Sequence, residues 1–183
     1  MPSIEEYKNN WSLFLDRDGV INKRIFGGYV KSPNEFEFLP GSLDAIVHLS
    51  KIFNHLFIVS NQQGIGKGLM NETDIAEIHD FMLTEIHRNG GKISAIYYCA
   101  DLASKIPNCR KPGLSMAYRA KKDFPEIEFS KSIMVGDTMS DMEFGMNAGM
   151  KCYLVHDNPV SSNPKSDYKI ISSLTHFSKL KTF

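Results

Sequence analysis

Two aspartates, Asp16 and Asp18, follow the apolar run Leu13-Phe14-Leu15 and precede a turn-forming glycine, Gly19. Residues i and i+2 of an extended chain point to the same side, so both carboxylates can converge on one cation or one electrophilic centre. Three later signals sit beside apolar runs or helix starts. Ser60-Asn61-Gln62-Gln63-Gly64 closes the run Leu56 to Val59, Arg110-Lys111-Pro112-Gly113 precedes a helical pattern, and Gly136-Asp137-Thr138-Met139-Ser140-Asp141 closes Ile133-Met134-Val135. Singly each has a bland reading as a turn, a solvated basic pair or a helix entry. In the order acid pair, hydroxyl, lysine, second acid pair they supply what hydrolysis of a phosphate monoester needs: a nucleophile, neutralisation of the anionic oxygens, and an acid for the leaving oxygen.

Such groups must be brought together by the fold. Apolar runs at Leu13 to Leu15, Leu56 to Val59, Ile93 to Tyr98, Ile133 to Val135 and Cys152 to Val155 alternate with helical patterns, which predicts a doubly wound α/β domain with a parallel sheet. Helices are expected at about Gly41 to Lys51, Asp74 to Arg88, Leu114 to Lys122 and Ser140 to Asn147, the second capped by Asn71 or Thr73 and stopped by Gly90-Gly91. Ile170, Ile171 and the stretch from Leu174 to Leu180 add an edge strand and a last helix. A strand order of 3-2-1-4-5 would place Asp16, Ser60 and Asp137 side by side at the carboxyl edge, where ligands of such sheets bind.

At 183 residues and 42% hydrophobic composition the chain fits one domain spanning residues 1–183. The 21 basic and 21 acidic side chains cancel, so no global field draws in nucleic acid or an anionic membrane. The first residues carry no apolar signal core, and no run approaches the roughly 20 apolar residues of a membrane span. A cytoplasmic enzyme acting as a monomer is expected. Three cysteines, Cys99, Cys109 and Cys152, suit a reducing compartment better than a disulfide framework. The intervals from Asp18 to Ser60 and from Ser60 to Lys111, 42 and 51 positions long, leave no room for a separate cap, so substrate choice falls to the loops Asn22 to Ser32, Gln62 to Asn71 and Asp101 to Arg110. The six histidines offer no defensible nucleophile and base pair; His79 and His87, on a predicted helix, read as structural.

The four motifs resemble those of the haloacid dehalogenase (HAD) superfamily: Asp-x-Asp, Ser/Thr, Lys and Gly-Asp-x-x-x-Asp. Within it, Asp16 to Asn22, Gly28-Tyr29, Pro40-Gly41, Ser60 to Gly68 and Cys109 to Pro112 are similar to the subgroup of heptose bisphosphate and histidinol phosphate phosphatases, the former more closely. The resemblance implies a Mg²⁺-dependent phosphatase taking the 7-phosphate from D-glycero-D-manno-heptose 1,7-bisphosphate through an aspartyl-phosphate, with histidinol phosphate or another small sugar phosphate as the alternative substrate. It makes Asp16 the nucleophile and Asp18 the general acid and base. The Asp16 carboxylate, the Asp18 carbonyl and Asp137 are the implied metal ligands, with Asp141 behind them. Ser60, Asn61 and Lys111 would hold the transferring phosphoryl group. Gly28, Tyr29 and Gln62 would touch the substrate, and the Arg110 fork would suit a second phosphate.

Two departures stand out. Thr138 replaces a lysine of the nearest subgroup, and the subgroup's zinc loop retains only Cys99 and Cys109, with Asp101 nearby, so zinc is expected to be lost. Receiver domains share a phosphoacceptor Asp, a Ser/Thr and a Lys on a doubly wound sheet. They lack a Gly-Asp-x-x-x-Asp after the lysine, and Asp16-x-Asp18 with Gly136-Asp137 favours the enzyme.

Overall fold

The computed structural model describes residues 3–8, 10–156 and 167–180. Its centre is one parallel sheet of six strands: β1 (Ser12–Leu15), β2 (His55–Asn61), β3 (Ala95–Cys99), β4 (Ser132–Gly136), β5 (Lys151–Val155) and β6 (Tyr168–Ile171), in the order β3-β2-β1-β4-β5-β6. The expected inner order is therefore observed, with Ile170 and Ile171 in the added edge strand. Six helices connect and cover it: α1 (Ser42–Leu49), α2 (Gln63–Gly66), α3 (Glu72–Arg88), α4 (Ser115–Asp123), α5 (Met139–Ala148) and α6 (Leu174–Ser178).

Continuous apolar strands form because both faces are covered, and the two-residue period of a strand sorts their side chains. Leu13, Leu15, Ile58, Ile133 and Val135 face one core, closed by the buried residues of α1, α3 and α6. Phe14, Phe57, Val59 and Met134 face the other, closed by Met116, Ala117 and Ala120 of α4 and Met142 and Phe144 of α5. Helix α3 starts two residues before the expected position. Asn71 accepts from the N–H groups of Thr73 and Asp74, while Asp74 accepts from the Asn71 N–H, a reciprocal cap that fixes the start.

Between Asp18 and Ser60 the chain forms a short 3₁₀ turn, α1 and β2; between Ser60 and Lys111 it forms α2, α3 and β3. These belong to the sheet and its covering layers, so among the described residues neither interval adds a separate cap over the carboxyl edge. The register puts Leu15 beside Ile58 and Val135, so β1 and β4 end side by side where strand order reverses, with β2 running three residues further to Asn61. No helix among the described residues is long and apolar enough to cross a membrane.

Candidate active site

Asp16 leaves β1 with its N–H still donating to the Val135 carbonyl at 2.9 Å, which holds the residue at the sheet edge; its side chain is buried. Lys111 arrives from the loop after β3 and is buried as well. Its Nζ lies 2.7 Å from Asp16 Oδ1 and 2.6 Å from Asp141 Oδ1, and it donates to the Val59 carbonyl at 2.7 Å. The lysine backbone is clamped by Asn61, whose Oδ1 accepts from the Lys111 N–H (2.9 Å) and whose Nδ2 donates to the Lys111 carbonyl (3.2 Å). Asn61 thus sets the position of the lysine from the end of β2.

Gly19 turns the chain at φ +94°, and a Cβ there would fall 2.0 Å from Asp137 Oδ2. Only glycine lets the acid that follows β4 approach this closely, which explains the Asp-x-Asp-Gly order. Beyond the turn, Asp18 Oδ1 accepts from Asn22 Nδ2 (2.9 Å) and Arg17 Nη2 (3.1 Å), and its Oδ2 accepts from Gln62 Nε2 (2.8 Å). Burial alone would raise this carboxyl, but the Arg17 guanidinium and the hydrogen bonds outweigh it and hold Asp18 below its ordinary value.

Asp16 and Asp137 behave oppositely. Burial, followed by the charges of Asp141 and Asp18 and opposed by Lys111, pushes Asp16 up to about 6; burial and the Asp16 charge push Asp137 up to about 7. Carboxyl oxygens of Asp16, Asp137 and Asp141 lie within 4.8 Å of one another. Clustered, partly desolvated carboxylates of this kind need a hard cation, and an all-oxygen donor set fits Mg²⁺. Arg24 supplies one positive charge there: its Nη2 is 2.8 Å from Asp137 Oδ1 and 3.8 Å from Asp16 Oδ2. Asp141 also closes the first turn of α5, accepting from the Thr138 N–H (3.0 Å) and Oγ1 (2.5 Å).

The structure brings the sequence-derived candidates together. Asp16, Asp18, Ser60 and Lys111 line a cavity of about 430 Å³, and Gly28, Tyr29, Asn61, Gln62 and Arg110 line it too; Asp137 stands beside it, joined through Arg24. Gln62, expected as a substrate contact, lines the cavity, and its Nε2 also donates to both Asp18 Oδ2 and Ser60 Oγ (2.7 Å), tying the two motifs together. Arg110 Nη1 donates to the Asp101 carbonyl at 3.4 Å, which leaves most of its fork uncommitted among the described residues.

Sequence reasoning did not single out Arg24 or Asn22. The available signal for Arg24 was the Lys23-Arg24 pair five and six residues after Asp18, in the loop already assigned to substrate choice. The cysteine reading is corrected on one point, the expectation that these thiols form no disulfide. Cys99 and Cys109 are joined by a disulfide (S–S 1.94 Å, Cα–Cα 5.5 Å), because the intervening loop folds back to set the end of β3 against the segment before Lys111. Asp101 closes that loop, accepting from the Cys109 N–H (3.1 Å) and pairing with Lys105 (2.5 Å). Cys99, Asp101 and Cys109 are near enough to share a metal, but sulfurs bonded to each other are not thiolate ligands.

A family model described as HAD-hydrolase-like matches residues 108–174. The protein named D-glycero-alpha-D-manno-heptose-1,7-bisphosphate 7-phosphatase in Mycobacterium bovis is 36% identical over 166 residues, covering 89% of this chain and 87% of its own. The protein of the same name in Campylobacter jejuni is 36% identical over 171 residues, covering 93% and 96%. Among solved structures, the D,D-heptose 1,7-bisphosphate phosphatase of B. bronchiseptica, complexed with magnesium and phosphate, superposes with a TM-score of 0.83 at 28% identity, covering 92% of this chain and 96% of that one.

Proposed function

Because this chain belongs to the D-glycero-D-manno-heptose-1,7-bisphosphate 7-phosphatase family of HAD-like hydrolases, we propose that it removes the 7-phosphate of that sugar bisphosphate with Mg²⁺, through an aspartyl-phosphate on Asp16. It is a phosphoric monoester hydrolase with a doubly wound α/β fold. The observation that carries the mechanism is the buried contact of the Asp16 carboxylate with Lys111 Nζ at the point where β1 and β4 end beside β2. A carboxylate in a site that also neutralises phosphoryl oxygens can act as nucleophile.

Asp16, the Asp18 carbonyl and Asp137 would hold Mg²⁺, with Asp141 behind them. Bound there, the ion would neutralise and orient phosphate oxygens. Lys111 and the hydroxyl of Ser60 meet the other oxygens of the transferring group. An Asp16 carboxylate oxygen attacks phosphorus, and the bond from phosphorus to the sugar oxygen breaks as that oxygen takes a proton from Asp18. In the second half Asp18 takes a proton from water, whose oxygen attacks phosphorus and releases inorganic phosphate from Asp16. The lowered pKa of Asp18 keeps the carboxylate ionised and free to accept a proton in the base half. For the acid half, the negative charge of the incoming phosphate beside it raises the carboxyl.

Gly28, Tyr29, Asn61 and Gln62 shape the substrate end of the cavity, and Arg110 would take the second, non-reacting phosphate. The same reading makes the enzyme a one-domain, cytoplasmic monomer without zinc, the Cys99–Cys109 bond standing where the related zinc loop would be. Its test is a screen with Mg²⁺ of both anomers of heptose 1,7-bisphosphate, heptose 7-phosphate and histidinol phosphate. A heptose bisphosphate should give the highest kcat/KM. A preference for histidinol phosphate would replace the substrate, and loss of no activity in Asp16→Asn would remove the nucleophile.

A further inference from the structure

Helix α3 turns an apolar stripe of Ile75, Ile78, Met82 and Ile86 toward the core, and His79 interrupts it while remaining buried. The His79 Nε2 lies 3.3 Å from Arg17 Nη1. A guanidinium carries donors only, so Nε2 is the acceptor and the imidazole keeps its proton on Nδ1. Burial and the Arg17 charge push His79 down to about 3, so the accepting, neutral ring is the form present throughout the working range. Arg17 itself is 1% exposed and is the largest fully buried side chain among the described residues. Its Nη2 reaches both oxygens of Asp18, at 3.1 Å for Oδ1 and 3.0 Å for Oδ2.

These contacts make a continuous chain from α3 to the proton-transfer group: His79 Nε2, Arg17 Nη1 and Nη2, then the Asp18 carboxylate. Gln62 and Asn22 hold Asp18 from other directions with neutral donors. A fork fixed at one end only can swing about its stem, whereas a fork held at both nitrogens has a defined plane. Without the His79 acceptor, Nη1 would be a buried donor with no partner and would turn toward another acceptor. The nearest carboxylate already bound to that guanidinium is Asp18. We propose that His79 is a positioning residue for the hydrolysis: through Arg17 it fixes the orientation of the Asp18 carboxylate for proton transfer to and from the reacting oxygens. The inference rests on the proposed acid and base role of Asp18.

Proton donation matters most where the leaving oxygen is basic. A sugar alkoxide needs the proton from Asp18, and a nitrophenolate scarcely does. The test therefore measures single-turnover release of the leaving group with Mg²⁺ from heptose 1,7-bisphosphate and from p-nitrophenyl phosphate, for Asp18→Asn, His79→Met and His79→Gln. His79→Met should slow release of the sugar about tenfold or more, with KM within about twofold, and slow release of nitrophenolate less than about threefold. Gln places Oε1 where Nε2 stood and should restore the sugar rate to within about threefold of the parent. Should His79→Met fail to fold, Arg17→Lys carries the same test, since one ammonium cannot hold both the ring and the two Asp18 oxygens. Equal slowing of the two substrates, no slowing of either, or a His79→Gln variant as slow as His79→Met would overturn the positioning role. If Asp18→Asn itself shows no leaving-group asymmetry, the acid and base assignment fails first; if it shows the asymmetry and His79→Met does not, only the positioning role falls.

Discussion

Replacing Lys111 by methionine should cost the metal-free protein about 3–5 kcal/mol, the range for removing one partner of a buried ion pair. Met keeps the stem and its packing but removes the ammonium. Two carboxylates whose side chains are 6% and 1% exposed, Asp16 and Asp141, would then face each other with no counter-charge from Nζ, and the Val59 carbonyl would lose its donor. With a urea m-value of about 2 kcal/mol/M, that loss lowers the unfolding midpoint by about 1.5–2.5 M. The deficit has two signatures. It should shrink as pH falls from 8 to 6, because a carboxyl without its cation takes up a proton more readily. It should also shrink in the double variant Lys111→Met/Asp141→Asn, which removes one of the two stranded charges. Urea titrations followed by far-UV circular dichroism, with chelator present, read all three quantities. A loss below about 1 kcal/mol at pH 8, or a deficit that neither acid nor the second substitution reduces, would refute the account of Lys111 as the charge that makes a buried acid cluster tolerable.

Asp16 and Asp137, raised to about 6 and about 7 from an ordinary 3.8, keep protons in the folded protein that the unfolded chain has lost. Between about pH 4 and pH 7 their contribution to stability therefore falls as pH rises, and Mg²⁺ added at pH 7.5 should recover it; melting curves with and without the ion check both halves. Arg24→Gln removes the cation held between the same two acids. It should lower the melting temperature of metal-free protein yet tighten Mg²⁺ binding by calorimetry about tenfold, or about 1.4 kcal/mol; unchanged affinity would mean the guanidinium does not compete with the ion. Arg110→Ala should reduce kcat/KM for a sugar bisphosphate by roughly one to two decades, as charge-assisted bonds are worth about 1.5–3 kcal/mol, while a monophosphate changes little. Without reductant, denatured protein should show one titratable thiol, Cys152, and opening the Cys99–Cys109 bond should cost about 2.5–3 kcal/mol for so short a loop.

The disulfide and Arg24 lie close to the reacting groups, and both act on the loops that surround an uncapped sheet edge. Cys99 ends β3 and Cys109 precedes Arg110 and Lys111, so the bond ties the catalytic lysine's loop to the sheet. Arg24 ties the loop after Asp18 to the acid that follows β4. Asn61 and Gln62 perform the same service from β2, one gripping the Lys111 backbone and the other joining Ser60 to Asp18. A site built at the ends of separate strands needs such cross-links to keep its groups in register.

The fold and the reacting groups were legible in the sequence because both are local patterns. Buried parallel strands are written as short apolar runs, and an Asp-x-Asp at the end of one presents two acids whatever lies around it. Asp16, Asp18, Ser60, Asn61, Lys111 and Asp137 could therefore be placed at one edge before any contact was known. What depended on separation in sequence and contact in space was not legible. The pairing of Cys99 with Cys109, ten positions apart, follows from how the loop between them folds back, and a cysteine count cannot express that. Gln62 faces Asp18 from 44 positions away, Arg24 faces Asp137 from 113, and His79 faces Arg17 from 62. In sequence these are an amide in a turn, a loop arginine and a helix histidine, each with an unremarkable local context. Tertiary structure decides their roles, because the strength of a buried charge or hydrogen bond is set by the groups that replace water around it, and those groups come from other elements.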